Sequence, residues 1–158
     1  MRSIIIALLL SSCLHSAASA QPRVGTQPIK PCSLLTRELV DKVSAGNRQA
    51  IDSTGPKELN LGASSSACEW GEVILQIDPF PPARLEELRQ KDGKNWETVP
   101  GVGDAAYFHN VQNALGELFV RVGTRTFGVL ITIPGGSTAA AFKPNFVMVA
   151  NAIVPKLR

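Results

Sequence analysis

At 158 residues, with 16 Lys and Arg against 13 Asp and Glu and a formal net charge of +3, the chain has the size of a single domain and enough length to bury a core. The positive excess is small and dispersed, with Lys91 and Lys94 its nearest approach to a cluster, and neither an Arg-rich run nor an RNA-binding aromatic motif accompanies it. Composition therefore argues against a nucleic-acid partner.

The first 20 residues read as a secretory address. Arg2 supplies a positive start, Ile4 to Leu10 an apolar stretch too short to span a bilayer, and Ala18-Ser19-Ala20 the small residues a signal peptidase accepts before Gln21. The same stretch carries a second possibility. Leu10-Ser11-Ser12-Cys13 has the order at which bacterial lipoproteins are cut and acylated on the cysteine, so the expected destination is either the periplasm or exterior, or a membrane surface reached through a lipid on Cys13. Residues 21–31, rich in Pro, Gly, Gln and Thr, read as a flexible leader, and 32–158 as the globular domain.

Cys13 is consumed by the export signal on either route, which leaves Cys32 and Cys68. In an oxidising compartment an isolated pair reads as a disulfide. Two thiols fall short of a structural zinc set and lie too far apart for a Cys-x-x-Cys redox motif. The bridge is expected to staple the first helix to the first strand.

From Cys32 onward the elements follow in order. Leu35, Leu39, Val40 and Val43 share one face, Thr36 can cap and Leu35 can staple onto Val40, predicting a helix that ends near Ala45 before Gly46. Asn47 to Ser66 reads as loop with at most a helical turn around Arg48 to Ile51. Ala67 to Trp70 and Val73 to Asp78 read as a hairpin turning at Gly71-Glu72. After Pro79-Phe80-Pro81, Pro82 is placed to open a helix to about Lys91, with Leu85 and Leu88 inward and Asp92-Gly93 closing it. Beyond Pro100-Gly101 the pattern predicts three strands, Ala105 to Phe108, Leu115 to Val122 and Thr126 to Ile133, with turns at His109–Asn113 and Gly123–Arg125. A last helix follows from Ser137, read as its cap, with Pro144 marking a kink or a later start. The expected fold is a single α+β domain: an antiparallel sheet of about five strands with helices packed on one face.

Chemistry is scarce. His109, the one histidine beyond the export segment, reads as a surface residue in a turn. No Gly-x-Ser-x-Gly elbow and no His-Glu-x-x-His exists, so no catalytic, metal-binding or cofactor-binding residue is assigned. Gly101-Val102-Gly103-Asp104-Ala105-Ala106 matches a dinucleotide fingerprint in letters, yet a strand is predicted where the helix should be, so it reads as a turn. Gly135-Gly136-Ser137-Thr138 reads as a strand-to-helix turn rather than an anion site, and Asp92-Gly93-Lys94-Asn95 lacks the ligands of a calcium loop. Trp70, Trp96, Tyr107 and Phe80 are the candidates for contact with a partner or ligand.

Pro31-Cys32-Ser33-Leu34-Leu35-Thr36, Cys68-Glu69-Trp70 and Gly101-Val102-Gly103-Asp104-Ala105-Ala106-Tyr107, in that order and spacing, resemble a group of small secreted or lipid-anchored bacterial envelope proteins of unknown function. The resemblance spans roughly residues 30 to 133 and implies a Cys32–Cys68 disulfide in an α+β sheet domain. It implies no activity. The functional expectation is an exported, non-catalytic envelope protein whose domain binds a protein or small ligand, reaching a membrane only through the lipid on Cys13. Two alternatives stay open: a small hydrolase using carboxylates such as Asp78, Asp104 or Glu117, and a secreted inhibitor or immunity protein presenting Pro79-Phe80-Pro81-Pro82.

Overall fold

A computed structural model describes residues 29–44, 55–62, 65–112, 115–133 and 137–158. The segment read as an export signal, with Cys13, Ala20 and Gln21, most of the expected leader, and the expected end of the first helix with the turn expected near residues 48–51 lie outside them. Seven strands form one antiparallel sheet: β1 Lys57–Asn60, β2 Ser66–Trp70, β3 Val73–Ile77, β4 Trp96–Thr98, β5 Ala105–Gln112, β6 Leu115–Val122 and β7 Arg125–Thr132. The described helices are α1 Arg37–Val43, α2 Pro82–Lys91 and α3 Ala139–Leu157, with a short 3-10 turn at Pro31–Ser33.

The α+β class is as expected, but the described residues form seven strands instead of about five. β1 falls in the segment read as loop, and three of its four residues are exposed, so it has no alternating pattern of its own; pairing with β2 makes it a strand. β4 has only three residues and exists by pairing with Tyr107, Phe108 and His109 of β5. β5 in turn runs through His109 to Gln112, where the sequence predicts a turn, because pairing with β4 continues to His109 and pairing with β6 to Gln112.

The strand order is β1-β2-β3-β7-β6-β5-β4, two meanders joined where β3 meets β7. One face of the sheet carries the main core. Cys68, Leu75, Val129, Leu118 and Phe108 lie along one cross-strand row of it, and Phe146, Val149, Ala150 and Ile153 of α3 pack with them. Phe108 meets Phe146 edge-on at 5.2 Å between centroids. Each such side chain, fully buried, contributes about 1.5–3 kcal/mol. Leu39, Val40 and Val43 of α1 and Leu35 before it join this core. Thr36 caps α1 by accepting from the Leu39 amide at 3.2 Å. The cap of α3 is Thr138, not Ser137, accepting from the Ala141 amide, and α3 runs through Pro144. Of the residues read as the end of the leader, Ile29 already packs against the core and Pro31 is buried.

The Cys32–Cys68 disulfide is present, with Cα atoms 4.9 Å apart. It ties the 3-10 turn ahead of α1 to β2, the second strand and not the first. At the other end of the chain, Lys156 of α3 donates to the Leu34 carbonyl at 2.8 Å.

Helices do not all lie on one face. β3 is interior and β4 is the far edge, so the connection between them must cross the sheet over β7, β6 and β5, and α2 makes that crossing on the face opposite the main core. Leu85 of α2 is 2% exposed yet stands outside the main core cluster. Glu86 and Arg89 of α2 engage Tyr107, which points away from its neighbours Ala106 and Phe108. No described helix is long and apolar enough to cross a membrane.

Candidate functional site

The second face of the sheet gathers aromatic and titratable side chains that stand outside the main core cluster. Alternation along β5 sends Tyr107 and His109 to this face, and along β6 Glu117 and Phe119. Register then sets them side by side: Tyr107 opposite Phe119, His109 opposite Glu117, and Trp96 of β4 opposite His109. Gly128 of β7 lies opposite Phe119, and a Cβ there would stand 2.9 Å from the Phe119 ring. The missing side chain is what lets that ring lie across β7.

Four rings form a layer. Trp96 stacks on His109 at 4.4 Å and 13° and reaches Phe119 at 5.7 Å, while Phe80 leans on Phe119 at 5.5 Å. Phe80 is held there by the turn before α2. Asp78, in the left-handed region at φ 49°, accepts from the Thr126 amide at 3.1 Å and from Arg125 at 3.0 Å, and the Thr126 hydroxyl donates to the Phe80 carbonyl.

Of the four residues expected to contact a partner, three thus come to one face: Phe80 and Trp96 meet through Phe119, and Tyr107 is the cross-strand partner of Phe119. Trp70 does not join them. It shares the face of Cys68 and packs against the main core, its indole N–H buried without an acceptor among the described residues.

His109 is the site residue that the sequence reading places on the surface. Its side chain is 19% exposed, with Nδ1 at 3.1 Å from Glu117 and Nε2 at 3.7 Å from Asp92. The signal that could have found it is the alternation Ala105, Tyr107, His109, which becomes visible once β5 is extended past Phe108.

Beside this cluster the Tyr107 hydroxyl donates to Glu86 at 2.9 Å, and Arg89 donates to the other Glu86 oxygen while lying over the Tyr107 ring. Hydrogen bonds from Arg89 and then Tyr107 hold the Glu86 carboxyl at about 2. A depressed carboxylate stabilises the fold above its ordinary value of 4.5, and that contribution is lost as pH falls toward about 2. Glu86 is 40% exposed, so solvent screens the effect and the expected readout is a shallow loss of stability across that window, flattened by Glu86→Gln. Burial pushes the Tyr107 phenol above its ordinary value of 10.0, and donation to Glu86 pushes the same way. Tyr107 is the chain's single tyrosine, so an absorbance titration reads it alone. The midpoint is expected above 10 and should fall in Glu86→Gln; equal midpoints in the two proteins would show that the Glu86 contact is not made in solution.

The three carboxylates considered for acid–base work stand apart. Asp78 is spent on Arg125 and Thr126, Asp104 accepts from the Gly123 amide at 2.6 Å, and Glu117 faces His109. Among the described residues no group of three His, Cys, Asp or Glu could hold a metal ion. Gly101-Val102-Gly103-Asp104 leads into β5, a strand where a dinucleotide site needs a helix. On the other side of β4, Lys94, Asn95, Glu97, Asn110 and Ala140 border an open cleft of about 210 Å³. The chain matches no family model, curated protein or solved structure in the comparisons made.

Proposed function

We propose that the chain is an exported bacterial envelope protein whose disulfide-stapled domain binds a protein or small ligand without transforming it, at the aromatic layer beside edge strand β4. The observation that carries this reading is the gathering of the half-buried Phe80, Trp96 and His109 around the buried Phe119, in one layer next to an edge strand of three residues. Aromatic side chains supply large contact area at low entropic cost and dominate binding energies where they occur. Export is supported by the pattern of the first 20 residues and, weakly, by the disulfide, which persists in oxidising compartments.

The test is an equilibrium binding screen of the domain against purified envelope glycans, peptides and proteins, repeated with Trp96→Ala. The expected loss in affinity is about 30-fold, the size of a binding hot spot. Leu61→Ala, at an apolar residue 48% exposed just past β1 at the opposite edge, should bind as the parent does. Equal binding by the Trp96→Ala and parent proteins, or reproducible turnover of a bound substrate, would overturn the proposal.

The route of export has its own measurement, the intact mass of the protein from a host that makes it. A species beginning at Gln21 that gains two hydrogens on reduction is the expected result for plain secretion with the disulfide. A diacyl or triacyl adduct on Cys13 would instead identify the lipid-anchored form.

A further inference from the structure

We infer that His109 is a proton-operated latch that fastens the turn after α2 and edge strand β4 to the sheet. The imidazole lies between two carboxylates on different elements, Glu117 of β6 at 3.1 Å from Nδ1 and Asp92 of the α2–β4 turn at 3.7 Å from Nε2. A neutral imidazole carries one N–H. With that hydrogen donated to Glu117, the bare lone pair on Nε2 faces the Asp92 carboxylate, and the turn is pushed away. Protonation makes both ring nitrogens donors and adds a positive charge attracted to both carboxylates. The same cation lies flat beneath the indole of Trp96, 4.4 Å between centroids, where a positive charge gains from the ring face.

The surroundings leave His109 as the group that sets the response. β6 presents Glu117, the turn presents Asp92, and β4 presents the uncharged Trp96. Glu86 and Arg89 of α2 face Tyr107, the next residue along this face, and neutralise each other. Glu97 of β4 is paired with Lys143 of α3. Phe119 closes the layer without charge.

What the latch holds is slight. Asp92 and Asn95 fix the internal shape of the turn through the Asn95 amide and side chain, but beyond the short β4 ladder the turn joins β5 through a single backbone bond, from the Asn110 amide to the Asn95 carbonyl at 3.0 Å. Closure is therefore held more firmly with the imidazole protonated than with it neutral. Because Trp96 rides on this strand, pH would set how firmly the aromatic layer is held. The latch does not depend on that layer binding anything.

The experiment is amide exchange by NMR on the domain at pH 5 and pH 8, with rates corrected for intrinsic exchange. The Asn110 amide is expected to be about fivefold better protected at pH 5, the combined worth of an exposed ion pair and a cation over a ring, with β6 amides as the control for global opening. His109→Gln should abolish the difference. Asp92→Asn, at an exposed position, should shrink it and serves if His109→Gln does not fold. Equal protection at the two pH values, or a difference that survives either substitution at full size, would overturn the latch. Neither result needs a ligand, so failure here is distinct from failure of the binding proposal.

Discussion

Replacing Cys32 and Cys68 together by alanine is expected to lower the unfolding free energy by about 3–4 kcal/mol, a large share of the stability of a domain this size. The bridge spans a sequence separation of 36, and the loop between the cysteines carries α1, β1 and the start of β2, Ser66 and Ala67. In the chain-entropy account, cross-linking removes open conformations from the unfolded ensemble, so the effect grows with the logarithm of loop length. A local consequence should accompany it. β1 is an exposed edge strand held through β2, and the 3-10 turn is held to β2 by the bridge itself. Urea unfolding of the oxidised parent and the double variant measures the first effect, and amide exchange in β1 the second. A change below about 1 kcal/mol would mean that the segment is already constrained in the unfolded chain.

The second large effect is expected at Gly103, where alanine should cost about 3–4 kcal/mol. Gly103 has φ +60°, and a Cβ there would stand 2.6 Å from both the Arg121 carbonyl oxygen and Val120 Cγ1. Neither neighbour can yield, since Arg121 O accepts from the Asp104 amide at 2.8 Å and Val120 is fully buried. Gly101 is the internal control. Its φ is +80° but nothing lies within 4 Å of its Cβ position, so alanine there should cost only the backbone strain, about 1–2 kcal/mol. Denaturant midpoints of the two variants separate the contributions. Equal losses would show that the close approach to Arg121 is not made in solution.

The two glycines also show where sequence reading stops. That Gly101-Val102-Gly103-Asp104 is a turn follows from permissive residues before a strand. That one glycine is crowded and the other free follows only from the β6–β7 hairpin against which Gly103 packs. The same division runs through the fold. α2 is bounded by Pro82 and by the residues after Lys91, and β6 and β7 by alternation and the Gly123 turn, so their limits were legible locally. β1 and β4 were not, because Lys57–Asn60 is mostly exposed and Trp96–Thr98 is too short to show a period; each is a strand by virtue of its neighbour. His109 lies in a strand and not in a turn for the related reason that pairing with β6 carries β5 beyond the point where its own residues turn polar.

By itself, then, the sequence determined the class of the domain and most of its elements, because helix periods, strand alternation and turn residues act between near neighbours, and it pointed to the pairing of Cys32 with Cys68 through the reading of Cys13 as part of an export signal. The tertiary structure alone decided that β3 pairs with β7, and much follows from that pairing. It places β3 inside the sheet and β4 at the edge, obliges α2 to cross the second face, and brings Asp92, Trp96, His109 and Glu117 to one place. No local preference encodes such a meeting. It depends on the order of strands in the sheet, a relation between segments far apart in sequence, whose shared face is buried by α3 over β5, β6 and β7 and by the 3-10 turn beside β2 and β3.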